Sequence, residues 1–178
     1  MNDWGASLYG DPCRECGFSW AMSMPDAVSL VAELPFVYGT LLADRSGHEQ
    51  HPGLRWSVTE YVSHVADNLR IWAERLMGVV GGAPPLVADY DENELAQARH
   101  YQGIPMPAAM WSLARSVDDW LEAVETSPDS GVVLVHPERG ELTLSDVVLS
   151  NAHDARHHQW DIERTLQDLG PWTRASTS

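Results

Sequence analysis

The sequence predicts an all-α fold, a four-helix bundle with an irregular N-terminal segment and a small hairpin-like excursion before the last helix. Three observations predict it. Four stretches carry apolar residues at steps of three and four, the spacing that lines one face of a helix. Two of these stretches open on capping-box patterns, Ser57 with Glu60 and Thr143 with Asp146. Glycine and proline close them: Gly81, Gly82, Pro84 and Pro85 after the second stretch, Gly170 and Pro171 after the last. A chain of 178 residues defaults to one compact domain with a substantial core. Four striped helices most simply bury their faces against one another.

Taken in order, residues 1–24 form a leader punctuated by Gly5, Gly10, Pro12 and Gly17, and they carry Cys13 and Cys16. Residues 26–44 have helical spacing interrupted at Pro35. They read as a short turn and then a helix, with Pro35 near its first turn. A loop follows with His48 and His51. The clearest helix spans 57–79, striped by Val58, Tyr61, Val65, Leu69, Trp72 and Leu76. Residues 86–107 are weakly patterned, with a short helix around 92–101. A third helix covers 108–126, striped by Leu113, Val117, Trp120 and Val124. A β-branched run at 131–136, then PERG, then 141–144, reads as the hairpin. The last helix spans 145–169, striped by Val148, Ala152, Ala155, Ile162, Leu166 and Leu169. The resulting division is a leader at 1–24, a bundle at 25–170 and a tail at 171–178. The long connections imply that not all neighbouring helices are joined by short turns.

Composition narrows the partners. The formal net charge is −15, and all eleven basic residues are Arg. That balance argues against nucleic acid and against an anionic membrane surface, both of which need clustered cations. A hydrophobic fraction of 44% with eight Trp is globular. No apolar run is long enough to span a bilayer. The opening MNDWGASLYG lacks the basic and apolar regions of a signal peptide, so a cytoplasmic protein is expected.

Histidines carry the chemical signal. His153 and His157 lie one turn apart on the last helix, so they share a face and can chelate one ion. His64, at the edge of the second helix's stripe, would complete a face of three imidazoles. Three protein ligands leave a position open for water or substrate, the layout of a catalytic metal site. The plain alternative is half-buried histidines hydrogen-bonded to neighbours. Glu60, Asp67 and Asp161 are the carboxylates placed to orient metal-bound imidazoles; equally, Glu60 suits a cap, and Asp67 and Asp161 suit solvent. Trp56 and Trp160 are candidates for lining the cleft.

Residues 56–67, WSVTEYVSHVAD, and 153–162, HDARHHQWDI, together resemble the DinB/YfiT-like superfamily. Its bundle carries a metal on one histidine of the second helix and an HxxxH or ExxxH pair of the fourth. CRECGF at 13–18 is similar to the start of an actinobacterial group within it, and a chain without lysine suits a GC-rich genome. The resemblance implies a divalent metal, zinc before nickel, and chemistry on small thiols. It therefore points to a thiol S-transferase acting with a small-molecule thiol on an electrophilic substrate. Mycothiol is the cosubstrate if the source is actinobacterial. A metal-dependent hydrolase or isomerase of the same fold is the rival reading. A non-catalytic metal- or ligand-binding stress or resistance protein is another. A homodimer is compatible with all three.

Cys13 and Cys16 fall two ligands short of a structural zinc site. Asp154 and His158, i,i+4 on a different face from His157, are the expected completing pair, with His48 and His51 competing. The alternative is two reduced thiols in a flexible leader.

Overall fold

Four long helices carry the fold, each turned so that its apolar stripe faces inward. The computed structural model describes residues 4–129 and 131–168. The expected helix end at Leu169, the stop signals Gly170 and Pro171, and the tail lie outside the described residues. The elements are α1 (Ala6–Tyr9), α2 (Met24–Leu41), α3 (Val58–Val80), α4 (Glu92–Ala98), a 3-10 turn (Tyr101–Gly103), α5 (Met106–Thr126), β1 (Val132–His136), β2 (Gly140–Thr143) and α6 (Leu144–Asp168).

Local chemistry sets the helix starts. Ser23 Oγ accepts the Asp26 N–H and caps α2. At α3 the Glu60 carboxylate accepts from the Ser57 N–H and hydroxyl, at 2.8 and 2.7 Å. At α6 the Thr143 N–H donates to Asp146 Oδ2 at 2.8 Å, and the Asp146 N–H donates back to Thr143 Oγ1 at 3.2 Å. Both capping boxes read from the sequence are therefore made.

α3 packs on α5 and α6, and α2 packs on the same two helices. The consecutive helices α2 and α3 thus sit diagonally across the bundle, which is why a long connection joins them. Polar ties from α2 and α5 reach α6 across the buried interior. Tyr38 Oη donates to the Ala155 carbonyl at 3.0 Å, and Trp120 Nε1 donates to Asn151 Oδ1 at 2.9 Å. The hairpin β1–β2 is antiparallel, with Leu134 opposite Leu142 and His136 opposite Gly140. The connection after α3 adds to it: Val135 N–H donates to the Pro85 carbonyl at 2.8 Å.

Three elements differ from expectation. Pro35 lies inside one continuous helix, not near its start. An interior proline costs about 3 kcal/mol. Val31, Leu34 and Tyr38 are buried on both sides of it, and each such burial contributes about 1.5–3 kcal/mol, so tertiary packing keeps the helix running. The short helix stops at Ala98, because His100 adopts a left-handed conformation with φ 53°. The 3-10 turn then buries Tyr101. The leader contains a helical turn, α1, and it packs onto the bundle through buried Cys13, Cys16 and Phe18. Its aromatic residues gather around Trp20 and pack on His153 of α6 from positions with no helical or strand spacing, so they leave no periodic pattern to read.

Tyr38→Phe should lower unfolding stability by about 1 kcal/mol through loss of one buried hydrogen bond. Phe36→Ser, at a side chain 77% exposed one turn away from the core face, should leave it unchanged. Urea midpoints of the two variants check this.

Candidate metal centre

α6 presents two pairs of potential ligands in adjacent registers. His153 and His157 share one edge. Asp154 and His158 lie one residue on, roughly 100° further round the helix. The second pair faces α3, and there it meets His64.

His64 Nε2 lies 3.5 Å from Asp154 Oδ1, and His158 Nε2 lies 3.6 Å from the same oxygen. The donor atoms of the three residues all fall within 4.8 Å of one another. Asp154 and His158 are held from behind by hydrogen bonds. Asn68 Nδ2 donates to Asp154 Oδ2 at 2.6 Å, which leaves Oδ1 for the imidazoles. His158 Nδ1 lies 3.1 Å from Asp161 Oδ2, the carboxylate–imidazole pairing that fixes a ligand's tautomer and orientation. The Trp56 ring packs 4.9 Å from His64, and the Tyr61 ring 5.1 Å from His158.

Electrostatics follow from this packing. Burial by itself would raise the Asp154 carboxyl, but His64 and His158 hold it well below the usual carboxylate range. Burial would lower His158, yet Asp154 and Asp161 push it up to about 9. The carboxylates thus create a seat for positive charge between two imidazoles. Two nitrogens and one carboxylate oxygen suit a first-row divalent ion such as zinc. His64 Nδ1, buried without a hydrogen-bond partner among the described residues, fits an imidazole whose orientation is set by a ligand on its other face.

This cluster opens into a cavity of about 520 Å³. The far end of the cavity carries two arginines, Arg75 and Arg139, together with the carboxylates of Asp89 and Glu138. The Arg75 guanidinium lies 4.5 Å over the Trp72 ring and that of Arg139 lies 5.6 Å from it. Arg75 Nη1 is buried with no hydrogen-bond partner among the described residues. Arg139 Nη1 donates to Ser150 Oγ at 2.7 Å. Buried His136 completes this end, its Nε2 3.4 Å from Asp89 Oδ1; burial and then Arg139 lower its pKa.

The other α6 pair meets the leader. The donor atoms of Cys13, Cys16, His153 and His157 all lie within 4.8 Å of one another.

The structure therefore regroups the residues singled out in the sequence. His64, His153 and His157 do not converge, nor do Cys13 and Cys16 with Asp154 and His158. The two α6 pairs exchange partners, because the register of α6 points 154 and 158 at α3 and leaves 153 and 157 to the leader. Glu60 is engaged in the cap of α3 and does not line the cavity. Asp67 faces away from the cluster: Tyr101 donates to it at 2.7 Å and Arg99 pairs with it at 3.0 Å. Asp161 stands behind His158 and not His157. Trp56 lines the cavity; Trp160 does not, lying 5.7 Å from His157 and beneath Arg164 at 4.4 Å. His48 and His51 belong to neither cluster. Sequence reasoning missed Asn68 and Arg75. Both sit at helical spacing from His64, four and eleven residues on with Trp72 between them, and that spacing was the available signal.

The model of the DinB superfamily matches residues 39–162 of the chain. The chain belongs to the DinB superfamily. Among solved structures, it is similar to YfiT from Bacillus subtilis, described as a probable metal-dependent hydrolase with an unusual four-helix bundle topology. That likeness has 17% sequence identity and a TM-score of 0.72, and it covers 86% of this chain and 92% of that one. No curated protein matches the chain. His64 stands on the second bundle helix, and Asp154 and His158 form an i,i+4 pair on the fourth.

His64→Ala, Asp154→Ala and His158→Ala should each strip the ion from the cavity, as read by elemental analysis after dialysis against a weak chelator. Asp67→Asn should leave that ion in place. It should instead lower urea stability by roughly 1–3 kcal/mol, through its lost bonds to Tyr101 and Arg99. Loss of the cavity ion in Asp67→Asn would reinstate Asp67 as part of the site.

Proposed function

We propose that this chain is a metal-dependent enzyme whose centre is His64, Asp154 and His158, and that it transfers a small thiol onto an electrophilic substrate. The observation that carries the reading is a three-donor cluster open to a large cavity whose opposite end presents Arg75 and Arg139. When bound, a divalent ion supplies a Lewis acid with an open position, which lowers the pKa of a thiol or a water. The other roles fall to side chains. Asp161 keeps the His158 imidazole in one tautomer. Asn68 keeps Asp154 Oδ1 turned inward. Trp56 and Tyr61 restrict water and hold the imidazole rings in place. Arg75 and Arg139 bind an anionic group, such as a carboxylate, at the distance from the centre that the cavity sets. In the reaction the thiol sulfur bonds to the electrophilic carbon, the thiol proton passes to solvent, and the leaving group departs with its bonding pair.

Hydrolysis is the second reading, and one observation favours it. A set of two histidines and one carboxylate is a familiar donor set of hydrolytic zinc enzymes, and YfiT carries the description of a probable metal-dependent hydrolase. The two readings part on the nucleophile. A panel of mycothiol, bacillithiol, glutathione and cysteine against generic electrophiles, with and without metal, decides between them. Turnover that requires both metal and a thiol supports transfer. Turnover that requires metal and ignores every thiol supports hydrolysis. Metal-loaded protein that binds small molecules without turnover in any condition removes both.

Arg75→Gln should raise KM for a carboxylate-bearing substrate roughly 10- to 100-fold, the scale of one charge-assisted hydrogen bond. It should change kcat little. Steady-state kinetics with the substrate and its neutral amide or ester analogue reads this directly, because the variant should close the gap between them.

A further inference from the structure

We infer that Cys13, Cys16, His153 and His157 hold a structural zinc ion, distinct from the ion of the cavity, that staples the leader to α6. The four donor atoms lie within 4.8 Å of one another, and Cys13 Sγ is 3.9 Å from His157 Nδ1. A zinc tetrahedron with ordinary Zn–S and Zn–N bonds has edges of roughly 3.4–3.8 Å, so modest closure completes it. The spacing Cys-x2-Cys with His-x3-His is that of structural zinc sites. Cys13, Cys16 and His153 are all buried, 3–6% exposed, as a closed site requires.

Local structure around the cysteines supports the same conclusion. The Gly17 N–H donates to the Cys13 carbonyl at 3.0 Å, and the Cys13 N–H donates to the Phe18 carbonyl at 2.8 Å. Gly17 takes φ 72°, a conformation that favours glycine. This tight turn turns both thiols toward α6. Behind the cluster, Glu15 Oε2 lies 3.4 Å from His157 Nε2, the carboxylate that typically backs a metal-bound imidazole. His153 Nε2 is buried without a hydrogen-bond partner among the described residues.

Charge and ligand count separate the two ions. On binding, both thiols release their protons to solvent. Two thiolates and two neutral imidazoles then neutralise a divalent ion completely and fill its coordination sphere. Such a site is closed and unreactive. In the cavity one carboxylate leaves a divalent ion with residual positive charge and an open position. The zinc would also matter to the cavity, because Tyr9 and Trp20 of the leader line it and pack 4.5 and 4.7 Å from the His153 ring.

The test uses the full chain with its native metals. The His64→Ala protein should retain about one zinc per chain, and titrating its thiols with an organomercurial should release that zinc in step with thiol loss. Replacing zinc by cobalt in His64→Ala should produce a sulfur-to-cobalt charge-transfer band and the intense visible bands of a tetrahedral ion. Cys16→Ser should abolish the charge-transfer band while the cavity retains metal. Trypsin should cut after Arg14 only once the zinc is removed. If Cys16→Ser does not fold, the mercurial titration of wild type decides alone. Thiols in the metal-loaded wild type that react as free thiols, with no zinc released, would falsify the inference. The cavity reading fails separately, if wild type and His64→Ala hold equal zinc.

Discussion

The register of α6 against α3 is the constraint on which the site depends. A helix advances about 100° per residue, so 153 with 157, and 154 with 158, are two adjacent stripes on one rod. Tyr38 donating to Ala155, Trp120 donating to Asn151 and the Thr143–Asp146 cap hold that rod in rotation and in height. Turning α6 by one residue would send His153 and His157 toward His64 and Asp154 away from it. Buried polar ties of this kind contribute about 1 kcal/mol each to stability, but their larger effect is to admit a single rotational setting.

Around that setting the cavity brings charges of both signs together. The chain is strongly acidic, yet its cavity runs from a carboxylate–imidazole cluster to two arginines lying over Trp72. Asp89 and Glu138 line the same end and offset part of that positive charge. Arg75 keeps a buried nitrogen without a partner among the described residues, which is costly unless an anionic ligand uses it.

The leader is a wall of the site and not an appendage. It contributes Tyr9 and Trp20 to the cavity lining, and its two cysteines meet the stripe of α6 that α3 does not use. A short segment held by one small aromatic cluster gains stability from a further tie to the bundle. The Cys–His cluster stands where such a tie would act, one residue in register from the cavity ligands.

Much of this was legible in the sequence. The four bundle helices, both capping boxes, the hairpin and the identity of nearly every residue in the two clusters follow from periodicity and side-chain chemistry, which are local. The sequence paired Cys13 and Cys16 with Asp154 and His158, because His153 and His157 were the more conspicuous chelating pair for His64. Pro35 inside α2 was not legible, since only burial on both sides of it outweighs its local cost. Nor was Arg139, which reaches the cavity from the hairpin and so has no spacing relation to the ligands on α3 or α6. The sequence alone determined which residues could ligate and which helices would bear them. The tertiary structure alone decided which pair of α6 faces His64 and which faces the cysteines, because a rotation of one residue separates the two choices and only packing against neighbouring elements sets it.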